Sequence, residues 1–71
     1  MSGNNSYIET AFTYHSPKGD QAQRYEKLRS KAKELALLLD DFCPICSEHQ
    51  RAFERLEESI MWANAAIARH E

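Results

Sequence analysis

Chain breakers are scarce here: two glycines (Gly3 and Gly19) and two prolines (Pro17 and Pro44) in 71 residues. That excludes a Gly-rich phosphate loop, and the composition fits neither a collagen-like repeat nor a disordered low-complexity chain. No hydrophobic stretch approaches the roughly 18 residues needed to span a bilayer. The first residues, Met1 to Ser6, lack the basic and apolar blocks of a signal peptide. A net charge of −2 does not suit a protein that coats nucleic acid. Histidines number only three (His15, His49, His70), they are scattered, and no Ser or Cys sits in a recognisable nucleophile context. The expectation is a soluble intracellular protein that is not an enzyme.

What is present is ordinary in kind: 42% hydrophobic and 28% charged residues. A chain of this length forms at most one small domain and buries only about 60% of its unfolded surface, so stability calls for help from disulfides, a metal or further copies. The charge is unevenly placed. Lys18 to Lys33 holds six basic residues against two acidic ones, a balance of +4, and Glu34 to Glu58 holds seven acidic against two basic, a balance of −5. Pairing between neighbouring helices explains this, and so does an anionic ligand at the basic end. Charge alone does not separate the two.

Two segments have helical periodicity. Tyr25, Leu28, Ala32, Leu35, Leu39 and Phe42 recur at steps of three and four, one stripe on a helix. Asp20 suits its N-cap with Gln23 in the capping-box position, Ser16-Pro17 offers a competing start, and the residue before Pro44 disfavours the α region. Phe53, Leu56, Ile60, Ala63 and Ile67 make the second stripe, with Ser47 and Gln50 as its capping box. The short link between them dictates an antiparallel hairpin. Residues 1–6 read as a disordered tail, and Tyr7 to His15 as an aromatic leader, either a short helix or an extended strand of chain laid across the hairpin. Residues 7–71 then form one all-α domain.

Ser59 to Ala68 carries no charge at all. Trp62 falls about 140° from the centre of its stripe at about 100° per residue. Met61, Ala65, Leu37 and Leu38 also lie off the stripes, and a lone hairpin would leave them wet, which small soluble proteins avoid. A helix that is apolar all round takes neighbours on every side, and the alanines allow close approach. The reading is a homo-oligomer interface.

Cys43-Pro44-Ile45-Cys46 has a C-x-x-C spacing, the type that binds zinc or exchanges thiols. Zinc needs two more ligands, for which only His49 and His70 offer themselves, and no strand precedes the motif as redox sites require. Packing of the hairpin corner is the plainer role, so no metal or cofactor is expected. Glu54, Glu57 and Glu58 read as a solvated helix face. Phe12, Tyr14 and His15 ahead of the basic run combine rings that stack on bases with cations that take phosphates, although such aromatics more often serve as core.

Tyr14-His15-Ser16-Pro17, Gln23 to Arg29, Ala32 to Ala36, Cys43-Pro44 and above all Leu56 to Arg69, with its MWANAAIAR stretch, resemble the phage anti-CBASS protein 2 family. That family shares a small domain with the Thoeris anti-defence 1 proteins, and the resemblance covers about residues 12–70. It implies a helical hairpin assembled as a homo-hexamer that sequesters cyclic oligonucleotide messengers, without cleaving them, in the cytoplasm of the infected bacterium. It also implies ligand-binding roles. Tyr14 matches a tyrosine that stacks on a cyclic dinucleotide such as 3′,3′-cGAMP, and Lys27 or Arg29 matches a basic residue from a neighbouring subunit that meets the phosphates. Arg69 matches an arginine of a separate cyclic trinucleotide pocket. Cys46 has no counterpart in the family pattern. No DNA, RNA or membrane partner is implied. A sponge for a cyclic ADP-ribose isomer, as in Thoeris inhibition, and a helical protein–protein adaptor are the alternatives.

Overall fold

The computed structural model describes residues 2–71, with side chains from residue 5 onward. Three helices follow one another: α1 (Ser2–Phe12), α2 (Gln21–Phe42) and α3 (Ser47–His70). The described residues contain no strand, as an all-α hairpin requires.

The leader is the helical alternative of the two expected. The backbone is helical from Ser2; Met1 lies outside the described residues. No proline occurs before Pro17, so nothing stops helical backbone from running through this stretch. The link from Thr13 to Asp20 then breaks it twice. Pro17 disfavours the α region at Ser16, and Gly19 sits at φ 55, in the left-handed region that glycine enters without penalty.

Asp20 occupies the N-cap of α2, yet its side chain makes no capping bond. Instead it accepts from Arg24 Nε at 3.2 Å, while Gln21 Oε1 accepts from the Lys18 backbone N–H at 2.9 Å. At the other end Cys43 turns to extended backbone, φ −105 and ψ 138, as the following proline demands. Cys46, not Ser47, is the N-cap of α3. Its extended backbone starts the helix one residue early and places Ser47 in the first turn, where its hydroxyl donates to Glu48 Oε1 at 3.1 Å. The Glu48 carboxyl is held below its ordinary range, first by its own backbone N–H and then by Ser47.

In α3 the stripe is as read: Phe53, Leu56, Ile60, Ala63 and Ile67 are all half-buried against α2. In α2 the stripe drifts. Tyr25, Leu28, Ala32 and Leu39 are half-buried, but Leu35 (46% exposed) and Phe42 (73%) face outward. Ala36 and Cys43 take their places. A straight helix turns at 3.6 residues, and a strict alternation of three and four runs ahead of it.

Two contacts mark the antiparallel ends. Near the turn His49 Nε2 lies 3.5 Å from Asp40 Oδ1, and its ring stands edge-on to Phe53 at 4.7 Å. At the open end Arg24 donates to both carboxylate oxygens of Glu71, Nη1 to Oε2 at 2.9 Å and Nη2 to Oε1. Gln21, at 5% exposure the one buried residue described, adds a bond to Glu71 Oε1 at 3.3 Å. Arg24 first, then Gln21, bring the Glu71 carboxyl down to about 2. A depressed folded pKa gives stability that is present above the unfolded value, about 4.3, and lost as pH falls toward 2. The clamp is solvent-exposed, so screening keeps its effect modest. Circular-dichroism melts should therefore drop between pH 4.5 and 2 in the parent, and Glu71→Gln should remove part of that drop while lowering the neutral-pH melting temperature.

Candidate functional site

No hydrophobic residue among those described is fully buried. The chain exposes 5900 Å², whereas a compact monomer of 8.2 kDa exposes about 4,500 Å². Its radius of gyration is 15.8 Å, against about 11 Å for a compact chain of this length. Sites on this molecule are therefore grooves along helices, and the side chains that carry chemistry stand at their rims.

Arg29 and Arg69 line one such groove, about 420 Å³, with His15, Tyr25 and Asn64 in its walls. The antiparallel hairpin brings them together: Arg29 lies in the first half of α2, and Arg69 in the last turn of α3. His15 closes the side nearest the leader, its Nε2 2.9 Å from the Thr10 carbonyl oxygen. Tyr14, the adjacent residue, is 81% exposed. Its ring stands free in solvent. Cations over a groove with an aromatic rim suit a ligand that carries both phosphates and bases.

Lys27 is elsewhere. It lines a separate groove of about 320 Å³ with Arg24, Leu28, Lys31 and Ile67. Two residues apart on a helix means about 200° of rotation, so Lys27 and Arg29 present their charges to opposite faces. Within one chain Arg69 is thus joined by Arg29 and not by Lys27.

Asn64 lines the groove without having stood out in the sequence, and Tyr25, expected there only as part of the α2 stripe, lines it too. Asn64 Oδ1 is buried without a hydrogen-bond partner, an unusual state for a polar atom. The signal was available: apart from Ser59, Asn64 is the one polar residue in the uncharged run. His70 also gains a place, sharing a second groove of about 450 Å³ with Arg69, Tyr7 and Thr10.

The exposed face of α3 is ordered by a short chain of bonds. Trp62 is 56% exposed, and its indole N–H donates to Glu58 Oε2 at 3.3 Å. Arg55 Nη1 donates to Glu58 Oε1 at 2.7 Å. Trp62 first, then Arg55, hold the Glu58 carboxyl below its ordinary range. Glu58 is thus engaged at half burial rather than simply solvated.

Cys43 and Cys46 are free thiols at the hairpin corner, and the Cys46 thiol donates to the Pro44 carbonyl oxygen at 3.4 Å. His49 shares that end of the molecule. His70 stands about 30 Å further along α3, at 1.5 Å per residue, so the two histidines cannot complete one site with the cysteines within a chain.

No curated protein and no solved structure matches the chain. The family model of the Acb2/Tad1 hairpin domain does, over residues 4–68, a span that takes in α2, nearly all of α3 and most of the leader. The chain belongs to that family, the hairpins of anti-CBASS protein 2 and Thoeris anti-defence 1.

Proposed function

We propose that this chain is a phage anti-defence sponge that binds cyclic oligonucleotides, cyclic dinucleotides such as 3′,3′-cGAMP and cyclic trinucleotides, and withholds them from the CBASS effector without cleaving them. The family match over residues 4–68 carries the reading, since that family supports an anti-defence sponge role in general. The groove supplies chemistry in keeping with it. Arg29 and Arg69 offer forked donors to phosphodiester oxygens, and Tyr14 offers an exposed ring to a base. Sequestration is a matter of mass action: free messenger stays low while sites exceed messenger and the ligand lies well above its dissociation constant.

The sponge works as a homo-oligomer, a hexamer by family resemblance, in the cytoplasm where the messenger is made. Each subunit exposes its cations on open grooves, and a neighbouring subunit closes such a groove from the other side. A ring-shaped ligand is then held across the junction, with Tyr14 on a base and basic residues on the phosphates. No cofactor or metal takes part.

A second reading keeps the sponge and changes its cargo to a cyclic ADP-ribose isomer. It is favoured by the breadth of the matching family, which spans both anti-defence types. One experiment addresses both. Light scattering after size exclusion, with and without 3′,3′-cGAMP, is followed by heat denaturation and chromatography of what is released. Intact cyclic dinucleotide recovered in proportion to protein supports the proposal. An oligomer that ignores cyclic di- and trinucleotides moves the weight to the ADP-ribose cargo or to a protein adaptor, and a linear product means turnover.

A further inference from the structure

In the link from Thr13 to Asp20 every residue is exposed except His15, which is half-buried. What seats it is one bond, from its Nε2 to the Thr10 carbonyl oxygen at 2.9 Å. A carbonyl oxygen only accepts, so Nε2 carries the proton and donates. The acceptor is one that calls for a donor. α1 ends at Phe12, which leaves the Thr10 carbonyl among the last four of the helix, beyond the reach of a helical amide. The last turn of α1 holds no basic side chain that could serve instead. The bond spans five residues and closes a loop of chain from Thr10 round to His15, with Tyr14 next to the closure. On the other side Pro17 fixes its own φ and keeps Ser16 out of the α region. Tyr14, 81% exposed, thus has little packing to hold it and stands between two local restraints. Thr10 and His15 also both line the groove that Arg29 and Arg69 share, so the two ends of the bond belong to its wall.

We infer that His15 is a positioning residue: its bond to Thr10 closes the end of α1 and fixes the backbone of Tyr14 before any ligand arrives. This rests on the sponge reading, in which Tyr14 stacks on a base. Ordering a loose link costs conformational entropy, and a link already ordered loses less of it on binding. His15 acts through Tyr14. The donor on Nε2 is what the role requires, rather than the bulk of the ring, because the Thr10 carbonyl is the partner that seats it.

The positioning is read first without nucleotide. By NMR relaxation of the full chain, the order parameter of the Tyr14 amide should fall from about 0.85 to below about 0.6 in His15→Phe, which keeps a ring and loses the donor. His15→Gln, whose side-chain amide offers an N–H at similar reach, should restore it. Calorimetry with 3′,3′-cGAMP should show affinity about 3- to 10-fold lower in His15→Phe, the range of one net hydrogen bond, and near the parent in His15→Gln. In a Tyr14→Ala background His15→Phe should cost nothing further, since residues that act as a unit are not additive. A Tyr14 order parameter that is low in the parent, or unchanged in His15→Phe, would overturn the latch. A loss of affinity that persists in full without Tyr14 would overturn the positioning role and make His15 a contact in its own right or a support of the fold. A parent that binds no cyclic nucleotide would sink the sponge reading, and the order parameters would still decide for or against the latch.

Discussion

Tyr14→Ala should weaken binding of a cyclic dinucleotide by roughly 10- to 100-fold, the effect of losing base–aromatic stacking worth about 1–3 kcal/mol per base. The oligomer and the melting temperature should not change. Tyr14 is 81% exposed and lies in the link between α1 and α2, outside the half-buried stripes. Its ring is therefore not part of what holds the hairpin together, and truncating it removes little buried area. Isothermal titration calorimetry beside light scattering reads both quantities. Tyr14→Phe separates ring from hydroxyl: near-parent affinity in that variant places the energy in stacking. Loss of assembly in Tyr14→Ala would instead make the tyrosine structural and remove it from the site.

The hairpin shows which parts of this molecule a sequence displays. Two long helices, their antiparallel order and the stop at Phe42 followed from periodicity and from Pro44. The end of α2 is set locally, because a proline acts on its immediate neighbour. The inward line of α2 was not legible in the same way. Leu35 and Phe42 look like core by hydrophobicity, but Ala36 and Cys43 occupy the inward line, because helix rotation and not residue type decides which side meets α3. The start of α3 moved for a related reason. A Ser-x-x-Gln pattern fits a capping box, yet Cys46, whose own backbone is extended, takes the N-cap position.

The candidate site was legible in pieces but not in its arrangement. Lys27 and Arg29 were equivalent as charges in a row; the helix separates them by more than half a turn, and only Arg29 joins Arg69. That convergence depends on how α2 and α3 are aligned, which an amphipathic pattern leaves free by a turn. Asn64 illustrates the reverse case. Its buried carbonyl oxygen without a partner is visible only with coordinates, though its oddity in an uncharged run was on the surface of the sequence.

Arg69→Ala should weaken a cyclic trinucleotide by roughly 10- to 100-fold, in line with about 1.5–3 kcal/mol for a hydrogen bond to a charged group, and a cyclic dinucleotide by distinctly less. Arg69 lies in the last turn of α3 and lines three grooves: one shared with Arg29 and His15, one with Tyr7 and His70, and one with Trp62 and Ala66. It is exposed and forms no ion pair among the described residues, so its removal breaks no contact that stabilises the hairpin. Arg69→Lys should recover part of the lost affinity, because the charge remains while the planar fork that grips a phosphodiester is gone. Rising salt should weaken the parent more than Arg69→Ala, since one charge contact fewer is left to screen. Equal losses for both ligands would merge the two pockets into one, and a fall in oligomer mass without ligand would move Arg69 from the pocket to the interface.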